Sequence, residues 1–163
     1  MEITECKKED FPLLNKYLPA VKDRHIWRYG IQDTNRGVYL VAWEKEKPVG
    51  LLVLIYDGVG VEGSTNLIIG CADIKYLYVH DDSRRQGIAE ALINEAIDHS
   101  LKRGYKMIGL LVDKKNIIAK NLYQKLGFKN SDHGDYPGTN IEIVDGKEVR
   151  TKVIAEYWHK DIA

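Results

Sequence analysis

Val79-His80-Asp81-Asp82-Ser83-Arg84-Arg85-Gln86-Gly87-Ile88-Ala89 carries the chain from an apolar run, through a polar loop, into its strongest helical pattern. Behind this stretch, residues 69–79 are apolar or aromatic at most positions, which predicts a long central strand. Ahead of it, Ile88, Ala89, Leu92, Ile93, Ala96 and Ile97 form one helical stripe, closed by Lys102-Arg103-Gly104 with glycine at the capping position. The entrance to this helix is unusual. A first turn beginning near Gly87 has no side-chain cap immediately before it, and Arg84 and Arg85 bring positive charge to the positive end of the helix dipole, offset only in part by Glu90. A docked phosphate or pyrophosphate answers both problems, with Gly87 permitting close approach and the arginines adding charge-assisted hydrogen bonds. Spacing leaves a second reading open, in which Asp82 or Ser83 caps an earlier first turn and the arginines are simply solvated.

Working outward, Met107 to Val112 reads as a short buried strand, and Asn116 opens a helix with Ala119, Leu122, Tyr123 and Leu126 on one face, ended by Gly127 and Phe128. The tail, Ile141 to Val144, Asp145-Gly146-Lys147 and Val149 to Trp158, predicts a hairpin turning at Asp-Gly. Upstream, Glu2 to Cys6 predicts a short strand, and Phe11, Leu13, Leu14, Tyr17 and Leu18 recur at helical spacing until Pro19. A second helix is expected from Val21 to Ile31. The β-branched and aromatic runs Val38 to Trp43 and Val49 to Tyr56, separated by Glu44-Lys45-Glu46-Lys47-Pro48, predict neighbouring strands, followed by a loop from Asp57 to Ser64. The order is mixed α/β (α+β), with strand, helix and strand at its centre.

At 163 residues, 44% hydrophobic and 29% charged, the chain fits one domain spanning 1–163, with no linker, repeat or low-complexity stretch to divide it. Lysine plus arginine and aspartate plus glutamate both number 24, so no net field points to nucleic acid or an acidic membrane as partner. The longest uninterrupted apolar run, Leu51 to Tyr56, is too short to span a bilayer, and the acidic start Met1-Glu2-Ile3-Thr4-Glu5 lacks the basic region of a signal peptide. A cytoplasmic location is the expectation. Cys6 and Cys71 stand far apart without a C-x-x-C, which argues for two reduced thiols, and His25, His80, His99, His133 and His159 show no metal-ligand spacing. No metal is expected.

The most literal motif is a decoy. Gly58-Val59-Gly60-Val61-Glu62-Gly63 spells the dinucleotide-binding pattern, but the following Ser64-Thr65-Asn66-Leu67-Ile68-Ile69-Gly70 carries no helical stripe to offer a helix N-terminus. A connection between strands is expected there instead.

Arg84-x-x-Gly87-x-Ala89, after a strand ending Leu77-Tyr78-Val79, resembles the acyl-coenzyme A signature of the GNAT superfamily of N-acyltransferases. Asn116-Ile117-Ile118-Ala119 followed by Leu122-Tyr123-x-x-x-Gly127-Phe128 is similar to that family's next block at the expected distance, so the resemblance runs from about Asp73 to Lys129. It implies a twisted mixed sheet flanked by helices, whose two central strands splay apart around the pantetheine arm of acetyl-coenzyme A. The N–H groups of Gln86, Gly87, Ile88 and Ala89, with Arg84 and Arg85, would then hold the pyrophosphate. The strand end Leu77-Tyr78-Val79 would pair with the pantetheine amides through the main chain of Leu77 and Val79. Asn116, with Ala119 beside it, would meet the coenzyme arm, although Asn116 serves equally well as an N-cap.

Tyr123 resembles the family's general acid, placed against the coenzyme sulfur. A thiol titrates near ~8.5 and a phenol near ~10, so the phenolic proton is available at neutral pH. Packing in the core is its other reading. Many relatives carry a glutamate where this chain has Lys75. Asp73 on the same strand face is the substitute base carried forward, with Glu62 or a water chain as alternatives. Trp27, Tyr29, Tyr136 and Trp158 are candidates to line an acceptor pocket. The resemblance implies acetyl transfer to a primary amine, on a small molecule or a protein, by direct attack in a ternary complex. An inactive coenzyme-binding module of the same fold is the alternative. The sheet edges and terminal hairpin are the surfaces a homodimer would use.

Overall fold

A computed structural model describes residues 1–21, 23–56, 68 and 70–163. The strands are β1 (Glu2–Glu5), β2 (Gly37–Glu44), β3 (Lys47–Ile55), β4 (Cys71–Val79), β5 (Met107–Asp113), β6 (Lys129–Val144) and β7 (Lys147–Asp161). The α-helices are α1 (Phe11–Tyr17), α2 (Arg24–Asp33), α3 (Ile88–Lys102) and α4 (Ile117–Lys125). One seven-stranded sheet in the order β1-β2-β3-β4-β5-β7-β6 joins all the strands. Every pair is antiparallel except β4 with β5, whose connection runs through α3.

β2 and β3 read as continuous apolar runs because helices cover both faces of the sheet. Val38, Leu40 and Ala42 of β2 and Leu52 and Leu54 of β3 meet α3, joined by Ile74, Leu92, Ile93, Leu110 and Phe128 in one core. The alternate residues Tyr39, Val41, Leu51, Val53 and Ile55 pack with Leu14 and Leu18 at α1 and Ile31 of α2 in a second core on the opposite face.

The feature that positions a site is the parting of β4 from β5. Their pairing runs from Cys71 opposite Met107 to Ile74 opposite Leu110 and stops there. Beyond it, β4 follows β3, with Leu51 opposite Tyr78 and Gly50 opposite Val79, while β5 follows β7 to Asp113 opposite Ala155. A register shift between Leu51 and Val53 marks the divergence, and Tyr76 there adopts φ 56°. A left-handed backbone at a bulky residue costs about 1–2 kcal/mol, held here by packing on both sides.

Three boundaries differ from the sequence reading. α2 spans Arg24–Asp33 rather than Val21 to Ile31, and β4 begins at Cys71, Ile69 lying outside the described residues. β6 starts at Lys129 rather than Ile141. Residues 129–140 are polar and rich in turn formers, Pro137 included, and such a sequence is tolerated as a strand here because β6 is the sheet's outer edge. A register shift between Asn130 and Asp135, with Asp132 and Gly134 at positive φ, takes up the irregularity. The hairpin turns at Asp145 and Gly146 (φ 51° and 75°), as the Asp-Gly pair predicts.

Glu156 fastens α4 to the end of the sheet. It is 7% exposed, and its carboxylate accepts hydrogen bonds from Lys120 Nζ (3.0 Å), Asn130 Nδ2 (2.9 Å) and Trp158 Nε1 (2.9 Å). The Trp158 hydrogen bond leads the causes that hold its carboxyl below the ordinary range, with Lys120 adding to it. A lowered folded pKa contributes stability above the unfolded value, which is lost as pH falls through the folded value. Glu156→Ala will therefore cost about 3 kcal/mol at pH 7, since three donors lose their acceptor. Thermal melts will show a fall of about 6–12 °C at pH 7 and a narrower gap below pH ~4. Equal melting temperatures at pH 7 would refute this role.

Candidate active site

The loop after β4 shows what caps the α3 entrance and what does not. Asp81–Ser83 form a separate 3-10 turn capped by His80, whose Nδ1 accepts the Asp82 N–H at 3.2 Å. α3 itself begins at Ile88 behind Gly87, which has φ 80° and gives no side-chain cap. Asp82 and Ser83 therefore do not cap it. Arg85 also adopts a positive φ, 61°, and a Cβ built on Gly87 meets nothing within 4 Å. The first-turn N–H groups have no side-chain cap, the place of a Gly87 side chain is open, and two arginines stand beside them in the sequence, a donor set that a pyrophosphate fits.

The two arginines differ. Arg84 is drawn back: its Nη2 lies 2.9 Å from Asp81 Oδ1, its Nε donates to the Val79 carbonyl at 3.1 Å, and its guanidinium sits over the Tyr78 ring. Arg85 is exposed and forms no ion pair among the described residues. Arg84 thus braces the loop while Arg85 remains available to an anion.

The opening lies directly behind this loop. His80 N–H donates to Val49 O on β3, so by strand alternation the main-chain groups of Leu77 and Val79 point the other way, to the side that β5 has left. The Val79 carbonyl already accepts Arg84 there, so Leu77 offers the fuller pair of main-chain groups.

Asn116 Oδ1 accepts the Ala119 N–H at 3.1 Å and so is the N-cap of α4, leaving only its amide N–H groups for a ligand. Tyr123, 8% exposed, lies in the α3 side core against the Phe128 ring at 5.9 Å. Its hydroxyl has no hydrogen-bond partner among the described residues, and burial pushes its pKa up to about 12.

Asp73 and Lys75 occupy the opposite face, since Ala72 and Ile74 belong to the α3 side core. Asp73 is 3% exposed; its Oδ1 accepts the Tyr157 hydroxyl at 2.8 Å and its Oδ2 lies 3.7 Å from Lys75 Nζ. Burial lowers the Lys75 pKa, opposed by the Asp73 charge, whereas burial and Asp73 push the Tyr157 phenol far up. Tyr157 crosses β5 at Gly109, where a Cβ would stand 2.2 Å from the phenol oxygen, so only glycine admits this contact. Nothing in the sequence singled out Tyr157. Its neighbour Trp158 drew attention as an aromatic pocket residue, but it faces the other way into the core.

Of the other aromatic candidates, Tyr29 packs edge-on against Phe11, and Tyr136 donates to the His133 carbonyl on the hairpin. Trp27 alone meets the β4 bulge, edge-on to Tyr76 at 6.1 Å. Gly58 to Gly63 and Glu62 lie outside the described residues. Cys6 and Cys71 are buried free thiols, pushed up to about 12 and about 11 by desolvation, which leaves them unreactive. No cluster of metal-binding side chains and no helix long and apolar enough to cross a membrane occurs among the described residues.

The mixed sheet with its central parallel pair splayed beside an uncapped helix N-terminus is the fold that the sequence resemblance implies. The family model described as the acetyltransferase (GNAT) family matches residues 2–128, and the chain belongs to that family. An uncharacterized N-acetyltransferase of Methanocaldococcus jannaschii is 39% identical over 61 residues, which cover 37% of this chain and 27% of that protein. The ribosomal-protein-alanine N-acetyltransferase of Brucella melitensis superposes with TM-score 0.72 at 18% identity, over 99% of both chains. A putative acetyltransferase of Salmonella typhimurium, solved with its cofactor acetyl-CoA, superposes with TM-score 0.73 at 15% identity, over 100% of this chain and 94% of that one. These likenesses establish the fold.

Proposed function

We propose that this chain transfers an acetyl group from acetyl-coenzyme A to a primary amine by direct attack in a ternary complex. The observation that carries the reading is the uncapped α3 N-terminus at Gly87, set at the mouth of the opening between β4 and β5. The coenzyme supplies an activated thioester. The N–H groups of residues 86–89 and the Arg85 guanidinium hold its diphosphate, and Arg84 keeps the loop in place through Asp81 and Val79. The main chain of Leu77, with the Val79 N–H, aligns the pantetheine arm as an added strand, and the Asn116 amide adds a donor. Binding energy gathered at these remote groups positions the thioester.

At the reacting end, Tyr123 donates a hydrogen bond to the departing sulfur. Its partnerless hydroxyl and raised pKa suit this role, because the proton stays on oxygen throughout the neutral range. Across the opening, Asp73 and Lys75 work as a pair on the amine. Asp73 accepts the amine's proton on its carboxylate, and the Lys75 ammonium, 3.7 Å from Asp73 Oδ2, is paired with it.

The test is amine-dependent release of free thiol from acetyl-coenzyme A over a panel of small amines, amino acids and peptides, alongside titration calorimetry of the coenzyme. Transfer to an amine is the expected outcome. Asp73 is already engaged by Tyr157 and Lys75, which favours the binding module as the rival; saturable coenzyme binding with no transfer to any acceptor would establish that rival.

A further inference from the structure

α2 lays an unusual pair of side chains over the β4 bulge. The Arg28 guanidinium stacks on the Tyr76 ring with 4.7 Å from Cζ to the centroid, and Trp27 meets the same ring edge-on. Arg24 in turn covers the outer face of Trp27 at 5.6 Å. Arg28 has no carboxylate partner among the described residues, and its Nε–H is buried without an acceptor. The Tyr39 hydroxyl is a hydrogen-bond partner of the guanidinium and is shared with His25, whose Nδ1 stands 2.7 Å from it and whose Nε2 stands 2.7 Å from the Leu18 carbonyl. Lys75 and Asp73 form an ion pair, and neither Arg24 nor Arg28 has a carboxylate partner among the described residues, so this side of the opening carries an excess of positive charge among them.

A guanidinium stacked on an aromatic ring and without a carboxylate partner among the described residues suits a planar anion. A carboxylate matches the paired Nη–H edge, whereas an ammonium would be repelled. Resting on the acetyltransferase reading above, we propose that Arg28 anchors the acceptor by its carboxylate, so that the substrates are carboxylated primary amines whose body lies against Trp27 and Tyr76.

The experiment compares amines that differ only in the carboxylate: phenylalanine with phenethylamine, tyrosine with tyramine, and ω-amino acids with the matching alkylamines. Wild type is expected to use the carboxylated members with kcat/KM about 10- to 100-fold higher, and Arg28→Gln to abolish that preference while the affinity for acetyl-coenzyme A stays within about twofold. A second readout needs no turnover: 3-phenylpropionate, which lacks the amine, should raise the melting temperature of wild type and not that of Arg28→Gln. Equal use of both members by wild type, or a preference that survives Arg28→Gln, overturns the proposal while leaving the transferase reading intact. Arg28-dependent stabilisation by 3-phenylpropionate without turnover of any amine supports the carboxylate site and overturns the transferase reading. Should Arg28→Gln fail to fold, Arg28→Lys carries the test. It keeps the charge without the fork, and is expected to lower the preference several-fold; an unchanged preference overturns the proposal.

Discussion

Gly87→Glu will weaken acetyl-coenzyme A binding by about 100-fold, read by titration calorimetry, while the protein stays folded. The new carboxylate would sit at the positive end of α3 and occupy the place of the anion, removing the equivalent of two charge-assisted hydrogen bonds, about 3 kcal/mol. Space is not the cause, because a Cβ at this position meets nothing within 4 Å. Backbone strain is a separate cost. At φ 80° a side chain loses about 1–2 kcal/mol, which lowers the melting temperature by a few degrees. Gly87→Ala carries that strain without the charge, so it should melt like Gly87→Glu yet bind the coenzyme only several-fold more weakly than wild type. Equal binding by wild type and folded Gly87→Glu would remove the pyrophosphate seat, and with it the assignment of residues 86–89.

The central strand–helix–strand unit was legible because its apolar periodicity is strong and its glycines fall at helix ends, where they act locally. The uncapped α3 entrance followed from the same local reasoning, and the structure takes Asp82 and Ser83 away as its caps by folding Asp81–Ser83 into a separate turn. What escaped was everything set by register across the sheet. Tyr157 reaches Asp73 only because β7 pairs with β5 and Gly109 leaves room for the phenol, and no local pattern announces that meeting. Arg28 is one of several basic residues in a polar stretch of helix, and its position over Tyr76 depends on the bulge in β4. The beginning of β6 was hidden for a different reason: an exposed edge strand needs no alternation, and residues 129–140 have none.

Tyr123→Phe will lower kcat by about 10²- to 10³-fold with little change in the affinity for acetyl-coenzyme A, because only the donor to the sulfur is lost. The substitution separates the two readings of this residue cleanly. Its ring belongs to the core beside Phe128, and phenylalanine preserves that packing. Its hydroxyl has no hydrogen-bond partner among the described residues, so removing it strands no protein group and the melting temperature should move by no more than about 2 °C. A tyrosine that served only as core would therefore leave both stability and kcat unchanged on conversion to phenylalanine. The pH profile gives an independent check. With its pKa pushed up to about 12, Tyr123 keeps its proton through pH 10, so the wild-type rate should show no alkaline fall from this group in that range. A loss of kcat in Tyr123→Phe that is constant from pH 7 to pH 10 is the signature of a donor that stays protonated, whereas a loss that vanishes as pH rises would identify a group titrating within the range and exclude Tyr123 from the role.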